Sequence, residues 1–413
     1  MLKKCIFLLL KTTFIIQYRM NPSANGWIKK LIKELSNQTL LDNPTDYQFY
    51  KAFRNSGFIY GYNIKVVNDY IINPDLTEEE LCKVNLCIAF INTHKTSGSD
   101  TNLFESIIDF YTAINENKST FLEDLLGRDS AEILVEKIMQ KRIQIHENII
   151  SKNFNHYITN VLLYIDIIAY DHFLETKTIT KSYLETLEAT IITIVIEALS
   201  LKSEKSNYDK SLIELFQSSL RYEQIDQLTY AEAIEHAKKL SYNLYYLDIA
   251  CMAAWSDSWI EAAEAEFLEN LSIALQINDE ERNESLNSIN LFFNANRDKI
   301  PLLSAKNVVK SFYNRSSQIV SKLITRNSHR LLRELRDSKE LMILLSKSTV
   351  RDLTPKEHKK VNEQLLDIFK SIPSLAIFLL PGGAILLPIV IKFIPKLLPS
   401  AFDDNRIEDD DED

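Results

Sequence analysis

Lys322, Arg326, Arg330 and Arg333 stand at i, i+4, i+8 and i+11, the spacing that puts four cations on one face of a single helix. Around them, residues 306–347 hold ten Lys or Arg against three acids (Glu334, Asp337, Glu340), a net of +7. Such a face suits anionic lipid headgroups, at about 1 kcal/mol per basic residue near a membrane surface. Lys359 and Lys360 extend the set of headgroup candidates. The bland alternative is a merely solvated basic face. Nucleic acid is the rival polyanion, but aromatic interleaving and a known nucleic-acid motif are both missing, so no such partner is expected. Covalent chemistry has no visible equipment. There is no Gly-rich phosphate loop, no His-x-x-x-His pair and no nucleophile elbow, and the seven His are dispersed. The expectation is a non-enzyme without a cofactor. The four Cys (5, 82, 87, 251) lack metal-type spacing and suit a reduced compartment.

The element that would bring a basic face to a membrane follows it. Residues 371–391 (SIPSLAIFLLPGGAILLPIVI) run for 21 positions without a charge. As a helix at about 1.5 Å per residue they reach roughly 30 Å, the hydrocarbon thickness of a bilayer. The alternative is a buried core hairpin. Pro373, Pro381 and Pro388, with Gly382 and Gly383, break the stretch, and Pro395 and Pro399 follow just after it as part of the same proline-broken membrane segment. The Pro-Gly-Gly midpoint leaves a crossing span and a re-entrant hairpin both open, and broken backbone at that depth needs protein or water around it. The expected partners are therefore the bilayer, anionic headgroups, and either a homo-oligomer or a membrane protein.

The punctuation bounds the rest. Of seven Gly, none lies between Arg128 and Pro381, and Pro is absent from 75 to 300. Sheets joined by tight turns want both, so the fold class is all-α: a multi-helix body, then a proline-broken membrane segment and an acidic tail. The formal charge of −10 is mostly tail, since residues 403–413 hold eight acids and one Arg. Such a run is usually a disordered, solvated tail, and with no turn Gly and no following helix it is not a calcium loop. Residues 1–19 resemble a leader only superficially, because Lys11 interrupts the apolar core and no cleavage site follows; an upstream extension ahead of Met20 is expected. The body divides into 20–150 and 151–300, with 303–402 as a third region.

Helical patterns run through 25–35, with an apolar stripe of Trp27, Ile28, Leu31, Ile32 and Leu35, and through 76–92, opened by a Thr77/Glu80 capping-box spacing. The 25–35 stripe suits packing on its own domain or, with Lys29, Lys30 and Lys33, an anionic membrane. A loop is expected over 94–102, and helices over 107–115 and 131–148. Residues 154–198 read as two helices parted around 175–181, and 230–275 as two parted near 256–259. The pairs echo each other weakly: Leu163-Tyr164, Asp166-Ile167 and Ala169 against Leu244-Tyr245 and Asp248-Ile249-Ala250.

Within the second pair, Asp257, Ile260 and Glu264 resemble the helix-opening signature of TerB-like domains, with Ser258 where that family has Gly. The resemblance implies a metal site on Asp257 and Glu264; helix capping and dipole compensation account for the same residues more simply. Toward the end, RDLTPKEHKK from Arg351, LLDIFKSIP from Leu365, LLP from Leu386 and FIPKLLPSAF from Phe393 resemble the LETM family, the leucine-zipper/EF-hand-containing transmembrane proteins, and its bacterial biofilm-associated branch. That resemblance covers about 305–402 and implies monovalent-cation/proton or calcium/proton exchange together with membrane organisation. The 371–391 run contains no Asp, Glu or His to carry a proton. The expected function is accordingly a membrane-anchored scaffold in cell-envelope function, cation homeostasis or biofilm formation. An oligomeric cation/proton antiporter and a TerB-like metal-responsive sensor are the alternatives. The LETM resemblance implies a bacterial inner membrane, and the basic residues ahead of the run place the helical body on its cytoplasmic side.

Overall fold

The computed structural model describes residues 20–37, 46–67, 76–116, 129–143, 156–201, 213, 216, 228–240, 242–255, 262–296, 320–372, 375, 378 and 387–397. The regular elements among them are helices, and no strand occurs among the described residues. The all-α expectation holds. Residues 1–19, the acidic tail and Asp257 lie outside the described residues.

Among the described residues, eleven helices contribute to a first core: α1 (Trp27–Asn37), α2 (Asp46–Asn55), α3 (Glu78–Thr96), α4 (Leu103–Glu116), α5 (Ala131–Ile143), α6 (His156–Thr176), α7 (Lys181–Ser200), α8 (Tyr230–Leu240), α9 (Asn243–Ala254), α10 (Ala262–Ala274) and α11 (Asp279–Asn296). The sequence sorts them by depth. α9 is buried at every position from Tyr245 to Ala254, and α6 at every position from Tyr157 to Tyr170. A helix apolar all round has no face to give to water and becomes a centre. α6 packs on α3, α4, α5 and α7, while α7 carries α8 and α9, and α9 carries α10 and α11. Helices on both sides of residue 150 share this core.

Amphipathic α1 lies at its edge. Its Trp27, Ile28, Leu31 and Leu35 stripe is buried within the first core, while Lys29, Lys30 and Lys33 face solvent. Its N-terminus is held from outside: Glu136 of α5 accepts from the Gly26 N–H at 2.8 Å and the Ile28 N–H at 2.9 Å. After α2 the chain turns through two glycines with positive φ. At Gly61 (φ 77°) a Cβ would come within 2.4 Å of the Tyr157 Cα, so only glycine lets α6 approach there. The echoed aspartates occupy matching settings. Asp166 accepts from Arg142 at 2.7 and 2.6 Å and from the Tyr111 hydroxyl at 3.1 Å. Asp248 accepts from Arg54 at 3.3 Å and from the Tyr50 hydroxyl at 2.6 Å. Tyr164 and Tyr245, one from each echoed segment, stack with ring centroids 3.8 Å apart.

Some boundaries move. α3 continues through His94 to Thr96, so the loop expected from 94 begins at Ser97. The segment 230–275 holds three helices instead of two, because Tyr242 breaks it (φ −98°, ψ 43°) and the Asn243 side-chain amide donates to the Leu275 carbonyl at 2.8 Å. The basic stretch is not one helix. Asn327 interrupts it, its side-chain amide donating to the Leu323 carbonyl at 2.7 Å, and Asp337–Ser338 interrupt it again.

Candidate interaction site: the basic C-terminal bundle

Residues 320–326 and four further helices, α12 (Ser328–Arg336), α13 (Lys339–Val350), α14 (Pro355–Ser371) and α15 (Leu387–Leu397), form a second, separate core. Val361, Leu365 and Phe369 recur every fourth position of α14, and the stripe they make is fully buried. α13 supplies Leu341, Met342, Leu344 and Leu345 and packs on α15. Local signals fix the starts. Thr354 and Glu357 make a reciprocal capping box with Pro355 in the first turn, and the Ser338 hydroxyl accepts from the Leu341 N–H at 3.4 Å.

The described parts of the uncharged run belong to this core. Ile372, Leu375, Phe378, Leu387 and Ile389 to Ile391 are buried in it, and the Phe369 and Phe378 rings lie 4.8 Å apart. α14 ends at Ser371, the first residue of the run, and Ile372 is extended (φ −116°, ψ 101°), so the run leaves the helix at its second residue. α15 has 11 residues, about 16 Å of helix. No helix among the described residues is long and apolar enough to cross a membrane. Pro388 is exposed and Pro395 buried, whereas Pro373, Pro381, Gly382, Gly383 and Pro399 lie outside the described residues.

The basic residues divide by partner. The Arg326 guanidinium meets both carboxylate oxygens of Glu80 on α3, across the seam between the two cores. Glu80 is 1% exposed and also accepts from the Ser23 hydroxyl at 2.6 Å and the Thr77 N–H at 2.9 Å. Burial alone would raise its carboxyl; the Arg326 hydrogen bonds and charge, with Ser23 and Lys83, overcome that and hold it below its usual range. Lys322 donates to the Leu76 carbonyl at 3.3 Å on the same seam. Arg330 donates to the Ser371 carbonyl, and Lys360 pairs with Glu340. Arg333 and Lys359 are exposed, the latter 4.0 Å from Glu363. The four cations expected on one face are thus split between a seam and a solvent surface.

Charge follows the cores. Residues 320–397 hold fourteen Lys or Arg against seven acids, whereas residues 20–300 hold 25 against 42. Whole-chain counting hides this opposition, because the excess acid of residues 20–300 is offset by the basic bundle together with the basic residues of 1–19 and 301–319. Glu80 was legible only as a cap, since nothing local ties it to a residue 246 positions away.

Of the two TerB-type acids, Asp257 lies outside the described residues. Glu264 is 2% exposed in the first turn of α10. Among the described residues no group of three His, Cys, Asp or Glu is placed to hold a metal ion. Cys82, Cys87 and Cys251 are buried free thiols, and burial raises the pKa of Cys87 and Cys251.

Comparison with curated proteins and comparison with solved structures each return no match. A family comparison does: residues 353–412 match the family described as LETM1-like, RBD. The match begins at Leu353, beside the capping box of α14, and takes in α15. This C-terminal part of the chain is LETM-like.

Proposed function

We propose that this protein is a membrane-associated helical scaffold of the LETM-like type, acting in cell-envelope function, cation homeostasis or biofilm formation through protein contacts. The observation that carries the reading is the LETM1-like match over 353–412, lying on a bundle with twice as many basic as acidic residues. A surface of that sign is drawn to anionic lipid, while the acidic body is held away from it, which orients the molecule. Among the exposed cations of the bundle, Arg333 and Lys359 are the ones this reading offers to headgroups. The 371–391 run is the anchor. To insert, its Leu375, Phe378 and 387–391 side chains would exchange the second core for acyl chains, an apolar-for-apolar transfer. The membrane in this reading is a bacterial inner membrane with the body on its cytoplasmic side, and copies of the chain or a membrane protein are its partners.

Flotation with vesicles tests it. Full-length protein should float with vesicles of phosphatidylglycerol and phosphatidylcholine and remain behind with phosphatidylcholine alone. The double variant Arg333→Glu/Lys359→Glu should lose at least half of the bound fraction. Protein that ignores lipid charge, and that carbonate strips from cell membranes, would sink both the headgroup face and the anchor.

A further inference from the structure

Away from the LETM-like bundle, the first core opens into a cleft of about 790 Å³ between α2, α3, α6, α7, α8, α9 and α11. That volume is in the range of small-molecule sites. Its walls are unusually rich in one chemistry: Tyr47, Tyr50, Tyr164, Tyr183, Tyr242 and Tyr245 all line it. Asp171, Glu175, Asp46 and Glu281 stand on the same lining, against a single Lys239.

We propose that this cleft binds a small organic cation, a quaternary ammonium or protonated amine, with its charge against Asp171 and Glu175 and its carbon surface against the tyrosine rings. Aromatic faces attract cations through their quadrupole, and a carboxylate beside them supplies the countercharge. The rim already uses this chemistry, because the Lys51 ammonium sits 4.9 Å from the Tyr47 ring centroid. Two contacts hold the interior ready. The Tyr242 hydroxyl donates to Asp171, and the His172 and Tyr183 rings stack 4.0 Å apart. Burial lifts the Asp171 carboxyl above its ordinary range despite the Tyr242 hydrogen bond, a cost that an adjacent cation offsets. At the inner wall Tyr245 is 1% exposed, and its buried hydroxyl has no hydrogen-bond partner among the described residues.

Calorimetric titration of the full-length protein with choline, and with its uncharged carbon isostere 3,3-dimethyl-1-butanol, separates charge from shape. Choline should bind saturably at one site, and the isostere about tenfold or more weakly. Asp171→Asn keeps the shape and should weaken choline about tenfold with an unchanged circular dichroism spectrum. Glu175→Gln, at an exposed position, should weaken it several-fold and carries the test should Asp171→Asn fail to fold. No choline binding, equal binding of the isostere, or wild-type affinity in the folded variants would each overturn the proposal. Vesicle binding is a separate readout, so failure here leaves the scaffold reading standing.

Discussion

Two capping boxes with the same sequence signature do different work in the two cores. Thr77-Glu78-Glu79-Glu80 opens α3 and Thr354-Pro355-Lys356-Glu357 opens α14, each with its threonine hydroxyl on the third N–H and its glutamate returning to the threonine N–H. Each glutamate also accepts from an arginine. For Glu357 it is Arg351, six residues earlier, at 2.9 and 2.7 Å and open to solvent. For Glu80 it is Arg326, from the other core, with the carboxylate buried. One box finishes a helix; the other finishes a helix and joins two cores. The motif specifies the cap, and burial decides whether the carboxylate does anything more.

The largest expected break is Glu80→Ala. It strands Arg326 at the seam and removes the cap, and should cost about 3–5 kcal/mol in denaturant unfolding, in the range for breaking a buried pair. Hydrogen exchange should quicken in both 76–90 and 320–326. Glu357→Ala removes a solvent-screened partner and should shift the same transition much less, with exchange quickened only at the start of α14. Equal effects would mean that the seam carries no weight.

Acid and salt sharpen the contrast. Both carboxyls lie below their ordinary 4.5: Glu80 because Arg326 overcomes burial, and Glu357, at about 2, because Arg351 and the Thr354 N–H hold it. A carboxyl depressed on folding contributes stability above its unfolded value, and that contribution is lost as pH falls through the folded value. Both contributions should therefore be intact at neutral pH and fade below about 4.5, and only the loss at Glu80 should loosen the two cores. At about 1 M salt, screening should erase the difference between Glu357→Gln and wild type while leaving the Glu80→Gln difference in place. Thermal unfolding across pH and salt reads both.

The smallest effect should be the most alike. Thr77→Ala and Thr354→Ala each delete one cap acceptor and should cost about 1 kcal/mol apiece. A much larger loss at Thr77 would show that its hydroxyl, which also donates to Glu80 at 3.1 Å, helps to hold the seam carboxylate.

The amino-acid order by itself determined much of this protein. The dearth of Gly and Pro left helices as the economical structure, and the four-residue stripes of α1 and α14 and both T-x-x-E caps are local signals that needed no partner to be read. The LETM-like ending was legible too, because its proline-anchored pattern is contiguous. The weak echo of Asp166 and Asp248 pointed at two buried aspartates without saying what they meet. What only the tertiary structure decided are contacts between distant parts. Four cations in helical register were split by an asparagine that takes its own helix's carbonyl, and one of them crossed to Glu80. Five tyrosines from four helices, and Tyr242 from the break between α8 and α9, came to line one cleft. Helix periodicity fixes which face a residue occupies; which element that face meets depends on how many separate apolar surfaces find each other, and no local spacing encodes that.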